Sequence, residues 1–227
     1  MSDRLRDFFS TLNARLEVTK AVRHEIDKKF SPDFNLFCLL LRDELSLSSF
    51  LRELLDDKSY HGQKNLFRML FLSMIKEKYS SNKIGKLFDA LGASTGVSVD
   101  TEVQTIYSES SQRRMDILIH NKDYGLMIEN KPWAGDQNNQ LHDYMKDLQV
   151  RFKGNFFIIY LSPQGSPPSE YSIEPNVLQK LKEEQRFCEM SFRHDVAQWV
   201  RKCAEKSESE KMRSTLFDFA NYLLLTF

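Results

Sequence analysis

Residues 113–144, RRMDILIHNKDYGLMIENKPWAGDQNNQLHDY, contain two short apolar runs on either side of a polar turn. The runs RRMDILIHN and YGLMIENK are each of strand length, and Asn121-Lys122-Asp123 between them is typical of a short hairpin turn. A hairpin places its two strands side by side, so Asp116 in the first strand can meet Glu129 near the end of the second. The stretch therefore predicts an antiparallel pair of strands with carboxylates at one edge of a sheet.

The charged residues of this pair have the composition of a hydrolytic metal site. Glu129 and Lys131 are two positions apart, so in a strand they lie on the same face. Two converging carboxylates, Asp116 and Glu129, suit a hard divalent cation. Phosphodiester hydrolysis needs such a cation together with a positive group that orients water or stabilises developing negative charge, and Lys131 is that group here. An ion pair between strands is the structural alternative for Glu129 and Lys131.

The rest of the chain surrounds this pair with helices. The hydrophobic period is helical before residue 80 and falls to two from about Gly96. Predicted helices cover 4–30, 34–45, 46–57, 63–79, 138–152, 176–185, 194–206 and 213–227. Predicted strands cover 97–110, 113–121, 124–131, 155–163 and, as a short edge strand, 188–192. This order predicts an α/β fold, a mixed β-sheet core flanked by helices, with a helical N-terminal region.

We expect one domain over 1–227, made of a helical N-terminal part (1–80), a catalytic α/β core (96–200) and a C-terminal helix (205–227). The apolar end of the chain, 222–227, fits either a helix that packs into the fold or a chain that continues into a further region. We favour the second alternative, because free ends are usually polar.

Composition narrows the class of protein. The chain has 227 residues, 41% of them apolar, which is enough for a sizeable core. It carries 32 basic and 32 acidic residues, and this balance argues against a tail that binds nucleic acid nonspecifically. The balance is still compatible with a local basic groove, because binding depends on where the charges lie. Three scattered cysteines indicate reduced thiols. No signal peptide and no apolar run of membrane-spanning length is visible, so we expect a soluble, cytoplasmic protein without a membrane partner.

Asp116, followed by Glu129-Asn130-Lys131 at the end of an apolar strand, resembles the D…(D/E)xK signature of the PD-(D/E)xK nuclease superfamily. The surroundings MIENKPWAGDQNNQLHDYMKDL, FFIIYLSPQGSPPS and DELSLSSFLRELLDDKSYHG resemble one bacterial subfamily of it. The resemblance runs from about Leu36 to Trp199. It departs from the family pattern at Met115, where the family name implies proline, a position that carries no chemistry.

This resemblance implies a restriction-endonuclease-like fold and further site residues. Gln140 and Tyr144, four apart on one helical face, would lie beside the catalytic lysine and the phosphate. Glu44 would join the metal site from a helix, and the backbone carbonyl of Asn130 would be a further metal ligand. His61, before Gly62, is expected to bond its turn rather than to take part in catalysis.

The remaining residues near the site leave two interpretations each. Arg113 and Arg114 either bind phosphates or form a solvated strand end. Trp133 either stacks on a base or, more in keeping with its position in a loop, packs as part of the core or a lid.

The functional hypothesis is a Mg²⁺- or Mn²⁺-dependent deoxyribonuclease of low sequence specificity. The resemblance adds a setting, the effector domain of a bacterial antiphage defence protein or a restriction-like enzyme. Its partners would be DNA and either further copies of the chain or a larger sensor protein fused to it. The alternative is a catalytically silent nucleic-acid-binding or oligomerisation module of the same fold.

Overall fold

The computed structural model describes residues 2–79, 82–106 and 113–227. The chain divides into two compact units, Met1–Leu36 and Phe37–Phe227. The first unit is formed mainly by helix α1 (Ser2–Phe30), which ends in the basic residues Lys28 and Lys29, favourable to the helix dipole. Its apolar side chains are exposed: Leu5, Phe8, Phe9, Leu12, Leu16, Val18, Val22, Ile26 and Phe30. The helix predicted over 4–30 is confirmed.

The second unit is a five-stranded sheet with helices around it. Its elements in chain order are α2 (Phe37–Leu40), α3 (Glu44–Leu55), α4 (Leu66–Lys76), α5 (Asn82–Leu91), β1 (Ser98–Gln104), β2 (Arg114–His120), β3 (Gly125–Asn130), α6 (Gln140–Phe152), β4 (Phe156–Ser162), α7 (Pro175–Glu183), β5 (Phe187–Ser191), α8 (Ala197–Lys206) and α9 (Glu210–Thr226). A π-helical turn precedes α8. The strand order is β1-β2-β3-β4-β5, antiparallel from β1 to β3 and parallel from β3 to β5. The mixed sheet flanked by helices is therefore confirmed.

The two faces of the sheet are covered by different helices. Ile117 of β2 and Ile128 of β3 lie in a core cluster with apolar residues of α3, α4, α5, α8 and α9. Leu118 and Met127, the neighbouring residues of the same strands, lie in a second cluster with residues of α6 and α7. Because side chains alternate along a strand, Asn130 follows Ile128 toward the α3 side, and Glu129 follows Met127 toward the α6 side.

The first helices of this unit are divided differently from the prediction. We expected one helix over 34–45 and another over 46–57, but α2 ends at Leu40 and α3 begins at Glu44. The reason is a capping box: the Asp43 carboxylate accepts a hydrogen bond from the Ser46 N–H at 2.7 Å, and Ser46 Oγ accepts one from the Asp43 N–H at 3.4 Å. This cap makes Glu44 the first residue of a helix.

Other elements were missed, confirmed or only partly tested. Helix α5 was not predicted, although Leu87 and Leu91 are buried along it. The edge strand predicted at 188–192 is present as β5. Of the strand predicted at 97–110, β1 ends at Gln104, and residues 107–110 lie outside the described chain.

The C-terminal helix and the cysteines complete the fold. Helix α9 buries Leu216, Phe219 and Leu223 in the core, so the apolar end of the chain packs into the fold. The cysteines are free thiols, as their scattered positions predict. Among the described helices, none combines the length and the apolar character that crossing a bilayer requires.

Candidate metal centre

The β2–β3 hairpin brings the two predicted carboxylates together. Asn121 begins the turn, and its Oδ1 accepts hydrogen bonds from the backbone N–H groups of Asp123 at 2.9 Å and Tyr124 at 2.8 Å. From this turn the strands pair Leu118 with Met127 and Ile117 with Ile128. This register ends at Ile117 and Ile128, and the carboxylates of the adjacent residues, Asp116 and Glu129, have oxygens within 4.8 Å of each other. The predicted meeting of these two side chains is confirmed.

Lys131 and Glu44 complete the cluster. The carboxylate of Asp116 accepts a hydrogen bond from the Asn130 N–H at 2.6 Å. Lys131 Nζ lies 2.6 Å from Glu129 Oε1 and 3.4 Å from Glu44 Oε1, so the lysine bridges β3 and the start of α3. Carboxylate oxygens of Glu44, Asp116 and Glu129 all lie within 4.8 Å of one another.

Burial makes this cluster electrostatically costly. Glu129 has no exposed surface, and Asp116 is 8% exposed. The contact of Lys131 with Glu129 is an ion pair rather than a well-directed hydrogen bond, and within the described residues neither carboxylate oxygen of Glu129 accepts a hydrogen bond. A buried carboxylate that lacks hydrogen bonds is unfavourable unless it is protonated or compensated by a cation.

The pKa values follow from this burial. Burial raises the pKa of Asp116 to about 7; the Asn130 N–H opposes the rise, and the Glu44 charge adds to it. Burial, and after it the charge of Asp116, hold the pKa of Glu129 well above its ordinary value. Burial alone would lower the pKa of Lys131, but the charges of Glu129, Glu44 and Asp116 together raise it. Lys131 is therefore a cation at neutral pH, while Asp116 and Glu129 release their protons at a higher pH than ordinary carboxyl groups do.

The side chains present fit a hard divalent cation. Mg²⁺ and Mn²⁺ prefer oxygen ligands, and Glu44, Asp116 and Glu129 offer carboxylate oxygens from three different elements of the fold. Lys131 supplies one positive charge beside these three carboxylates, and the buried oxygens of Glu129 accept no hydrogen bond in the described residues, so a divalent cation would compensate the remaining negative charge. Asn130 supports the site through its N–H on Asp116. The role of its carbonyl as a ligand stays a prediction.

Gln140 and Tyr144 lie at the start of α6, on the same side of the sheet as Glu129. Gln140 Nε2 donates to the Tyr144 hydroxyl at 3.1 Å, and this hydroxyl donates to the backbone carbonyl of Arg114 at 2.5 Å. Gln140 Oε1 accepts the N–H of Gln137 at 3.2 Å. Burial, with the Glu129 charge as the next cause, raises the pKa of Tyr144. The Tyr144 hydroxyl thus lies within electrostatic reach of Glu129 and Asp116, and Gln140 is hydrogen-bonded to it; both side chains hold the loop before α6 and β2 in place.

The two arginines before Asp116 have different surroundings. The guanidinium of Arg113 contacts Asp143 at 2.5 Å and Gln137 at 3.3 Å, and also bonds the Asn138 carbonyl. Its side chain is only 9% exposed, so it fastens the loop before α6. Arg114 is 57% exposed at its side chain and pairs with Glu102 at 3.3 Å. Of the two, Arg114 is the more available to a ligand.

His61 and Trp133 are occupied by local packing. His61 accepts the Gln63 N–H at Nδ1 and contacts the Asp56 carbonyl through Nε2, each at 3.0 Å, so it bonds its own turn as predicted. The Trp133 ring lies 5.6 Å from that of Phe227, and about half of its surface remains exposed. This contact is consistent with the packing interpretation.

Two residues near the carboxylates were not found from the sequence. Glu102 has a φ of 54°, a left-handed conformation that is strained for this residue type, and the register of β1 with β2 places it opposite Asp116. Ser48 is buried on α3 and accepts a hydrogen bond from Asn130. The sequence places Glu102 in a predicted strand but does not pair it with Asp116, and a serine inside an amphipathic helix gives no sign of a role in the site.

The comparisons with known proteins agree with this geometry. The sequence model of a family described as the PD-(D/E)XK nuclease superfamily matches residues 34–221, a range that contains the cluster and the whole sheet. No curated protein matches the chain significantly. No solved structure does so either. Because the family match covers most of the chain and includes the acidic cluster with its lysine, this protein belongs to the PD-(D/E)XK nuclease superfamily.

Proposed function

We propose that the protein is a Mg²⁺- or Mn²⁺-dependent nuclease that hydrolyses phosphodiester bonds of DNA with low sequence specificity. The observation that carries the proposal is the grouping of three carboxylates around one lysine: the fully buried Glu129 pairs with Lys131 at 2.6 Å, and carboxylate oxygens of Glu129, Asp116 and Glu44 lie within 4.8 Å of one another. Stability alone does not favour such an arrangement, whereas a divalent cation would compensate it.

Each residue of the cluster has a role in this proposal. Glu44, Asp116 and Glu129 hold the cation. A bound Mg²⁺ or Mn²⁺ supplies an activated water and neutralises charge on the phosphate oxygens. Lys131 is protonated at neutral pH, so it donates hydrogen bonds to the water or to the oxyanion that develops on phosphorus, and it does not act as the base.

The residues beside the cluster position the site and its substrate. Gln140 and Tyr144 fix the start of α6 against β2 through their hydrogen bonds. Arg114, exposed two residues before Asp116, contacts the phosphate backbone next to the scissile bond. Arg113 keeps the intervening loop in place through Asp143.

The substrate and the setting form the part of the proposal that rests on resemblance. DNA as substrate and a role as effector of a bacterial antiphage defence protein are carried over from the subfamily, whereas action in the cytoplasm is proposed because no signal peptide or spanning run is visible in the sequence. Association with further copies or with a fused sensor is carried over as well. The treatment of 1–227 as one nuclease domain with its core at 96–200 rests on the length of the chain and the order of its predicted elements. The structure adds only that the acidic cluster lies among elements of the second unit, Phe37–Phe227.

The test is cleavage of plasmid and linear DNA with and without Mn²⁺, comparing the wild type with Asp116→Ala, Lys131→Ala and a control, Lys122→Ala, in the exposed β2–β3 turn. We expect metal-dependent cutting by the wild type and the control only, and nicked plasmid would show endonuclease action. Cutting that survives in Asp116→Ala would exclude this site. A wild type that binds DNA but neither binds Mn²⁺ nor cuts would favour the silent binding module.

A further inference from the structure

The middle residue of the Glu129-Asn130-Lys131 triplet faces away from the cation site. Alternation along β3 directs Glu129 to the α6 side of the sheet and Asn130 to the α3 side. There the Asn130 amide donates a hydrogen bond to Ser48 Oγ at 2.8 Å. Asn130 has no exposed surface and Ser48 is 1% exposed, so water does not compete for this bond.

Ser48 is linked to the site by helical geometry. It lies four residues after Glu44 on α3, and residues with this spacing share one face of a helix. Glu44 is the first residue of the helix, and its carboxylate reaches Lys131 at 3.4 Å. A hydrogen bond at Ser48 therefore fixes both the rotation of α3 about its axis and its position along β3, and these two variables determine where the Glu44 carboxylate lies.

Apolar packing alone does not fix that position. Leu47 and Leu51 bury α3 against the sheet, but contacts between apolar side chains are non-directional and tolerate small shifts of a helix. The Asn130–Ser48 bond is directional. It is also costly, because the Asn130 amide oxygen is buried without a hydrogen bond in the described residues. An apolar residue would be cheaper here, and local choices that sacrifice stability are expected near functional sites.

We propose that Asn130 and Ser48 are positioning residues that hold α3 in the register at which Glu44 joins Asp116 and Glu129 around the cation. This inference rests on the proposed function, since it assigns a task in building the same metal site. Asn130 thus serves the site from both directions: its N–H holds Asp116 on one side, and its side chain sets Glu44 on the other.

The test is a double-mutant cycle in which the Mn²⁺ affinity of the metal-free protein is measured by calorimetry without nucleic acid. The variants are Ser48→Ala, Glu44→Gln and the double variant. Loss of a residue that supports a metal ligand typically weakens binding 10- to 100-fold, so we expect Kd to rise about tenfold in Ser48→Ala. In the Glu44→Gln background, the same serine change should have no further effect.

Two further variants serve as controls for this measurement. Ser207→Ala removes another buried serine hydroxyl, at the end of α8, and should leave Mn²⁺ affinity unchanged. Ser48→Cys keeps a small side chain with a weak acceptor, should lie between wild type and Ser48→Ala in affinity, and replaces the alanine variant in the cycle if that variant does not fold.

The outcomes separate this inference from the proposed function. If the wild type does not bind Mn²⁺, both fall. If it binds Mn²⁺ and Ser48→Ala binds equally well, the positioning role is refuted and the metal site stands. An equal loss of affinity from the serine change with and without the Glu44 carboxylate would also refute it, because the effect would then not pass through Glu44.

Discussion

Asp116→Asn should stabilise the metal-free protein while removing its metal site. The substitution keeps an oxygen that can accept the Asn130 N–H, which the native carboxylate holds at 2.6 Å. It removes a buried charge and supplies an amide N–H₂ beside Glu129, whose oxygens lack hydrogen bonds in the described residues. Both changes favour the folded state when no cation is bound.

The magnitude follows from the pKa of Asp116. It is raised from 3.8 to about 7, so the folded state binds more protons than the unfolded state between these values. Folding stability therefore falls as pH rises through this window. At about 1.36 kcal/mol per pKa unit, the raised pKa of Asp116 destabilises the fold by about 4 kcal/mol at pH 8, where the buried group is ionised. At pH 5 the cost is only about 2 kcal/mol, because the folded state holds the proton that the unfolded state has largely lost. Asp116→Asn removes this pH-dependent cost.

The assay is urea and thermal unfolding in EDTA at pH 8 and pH 5, with Asp123→Asn, an exposed carboxylate of the β2–β3 turn, as control. For a chain of this length, about 4 kcal/mol corresponds to a Tm increase of about 10 °C at pH 8. Added Mn²⁺ should raise the Tm of the wild type but not of Asp116→Asn. An Asp116→Asn variant that is no more stable than wild type at pH 8, or equally favoured at both pH values, would refute the reasoning.

Two further predictions concern the same site. Because the pKa values of Asp116 and Glu129 are raised, the apparent Mn²⁺ affinity should fall as pH is lowered from 8 to 6, by about tenfold per pH unit for each proton that the metal displaces. Calorimetry in buffers of different ionisation enthalpy would detect the released protons. An affinity that does not change with pH would contradict the raised pKa values. Tyr144→Phe should lower the free energy of unfolding by about 1–3 kcal/mol, because it leaves the Arg114 carbonyl and the Gln140 amide without the hydroxyl that they share. Urea unfolding measures this change. An unchanged urea midpoint would contradict the prediction and show that water or a neighbouring group replaces the hydroxyl.

The sequence by itself determined the hairpin and what it carries. The short apolar runs in MDILI and GLMIEN predict two strands, and a turn starting at Asn121 joins them, so the meeting of Asp116 with Glu129 is a local consequence of the chain. The helical spacing of Gln140 and Tyr144 is equally local: the two side chains are hydrogen-bonded to each other, and Tyr144 interacts with the Glu129 charge. Local periodicity determines which side chains share a face, and this information is sufficient within one hairpin or one helix.

Only the tertiary structure decided how distant segments complete the site. The resemblance pointed to Glu44, but its distance from Lys131, and the Ser48–Asn130 bond that accompanies it, depend on how α3 packs across the sheet. The engagement of Arg113 with Asp143 is likewise a contact between separate elements. Such contacts depend on the summed burial of many apolar side chains, which fixes the placement of a helix without leaving a pattern in its own sequence.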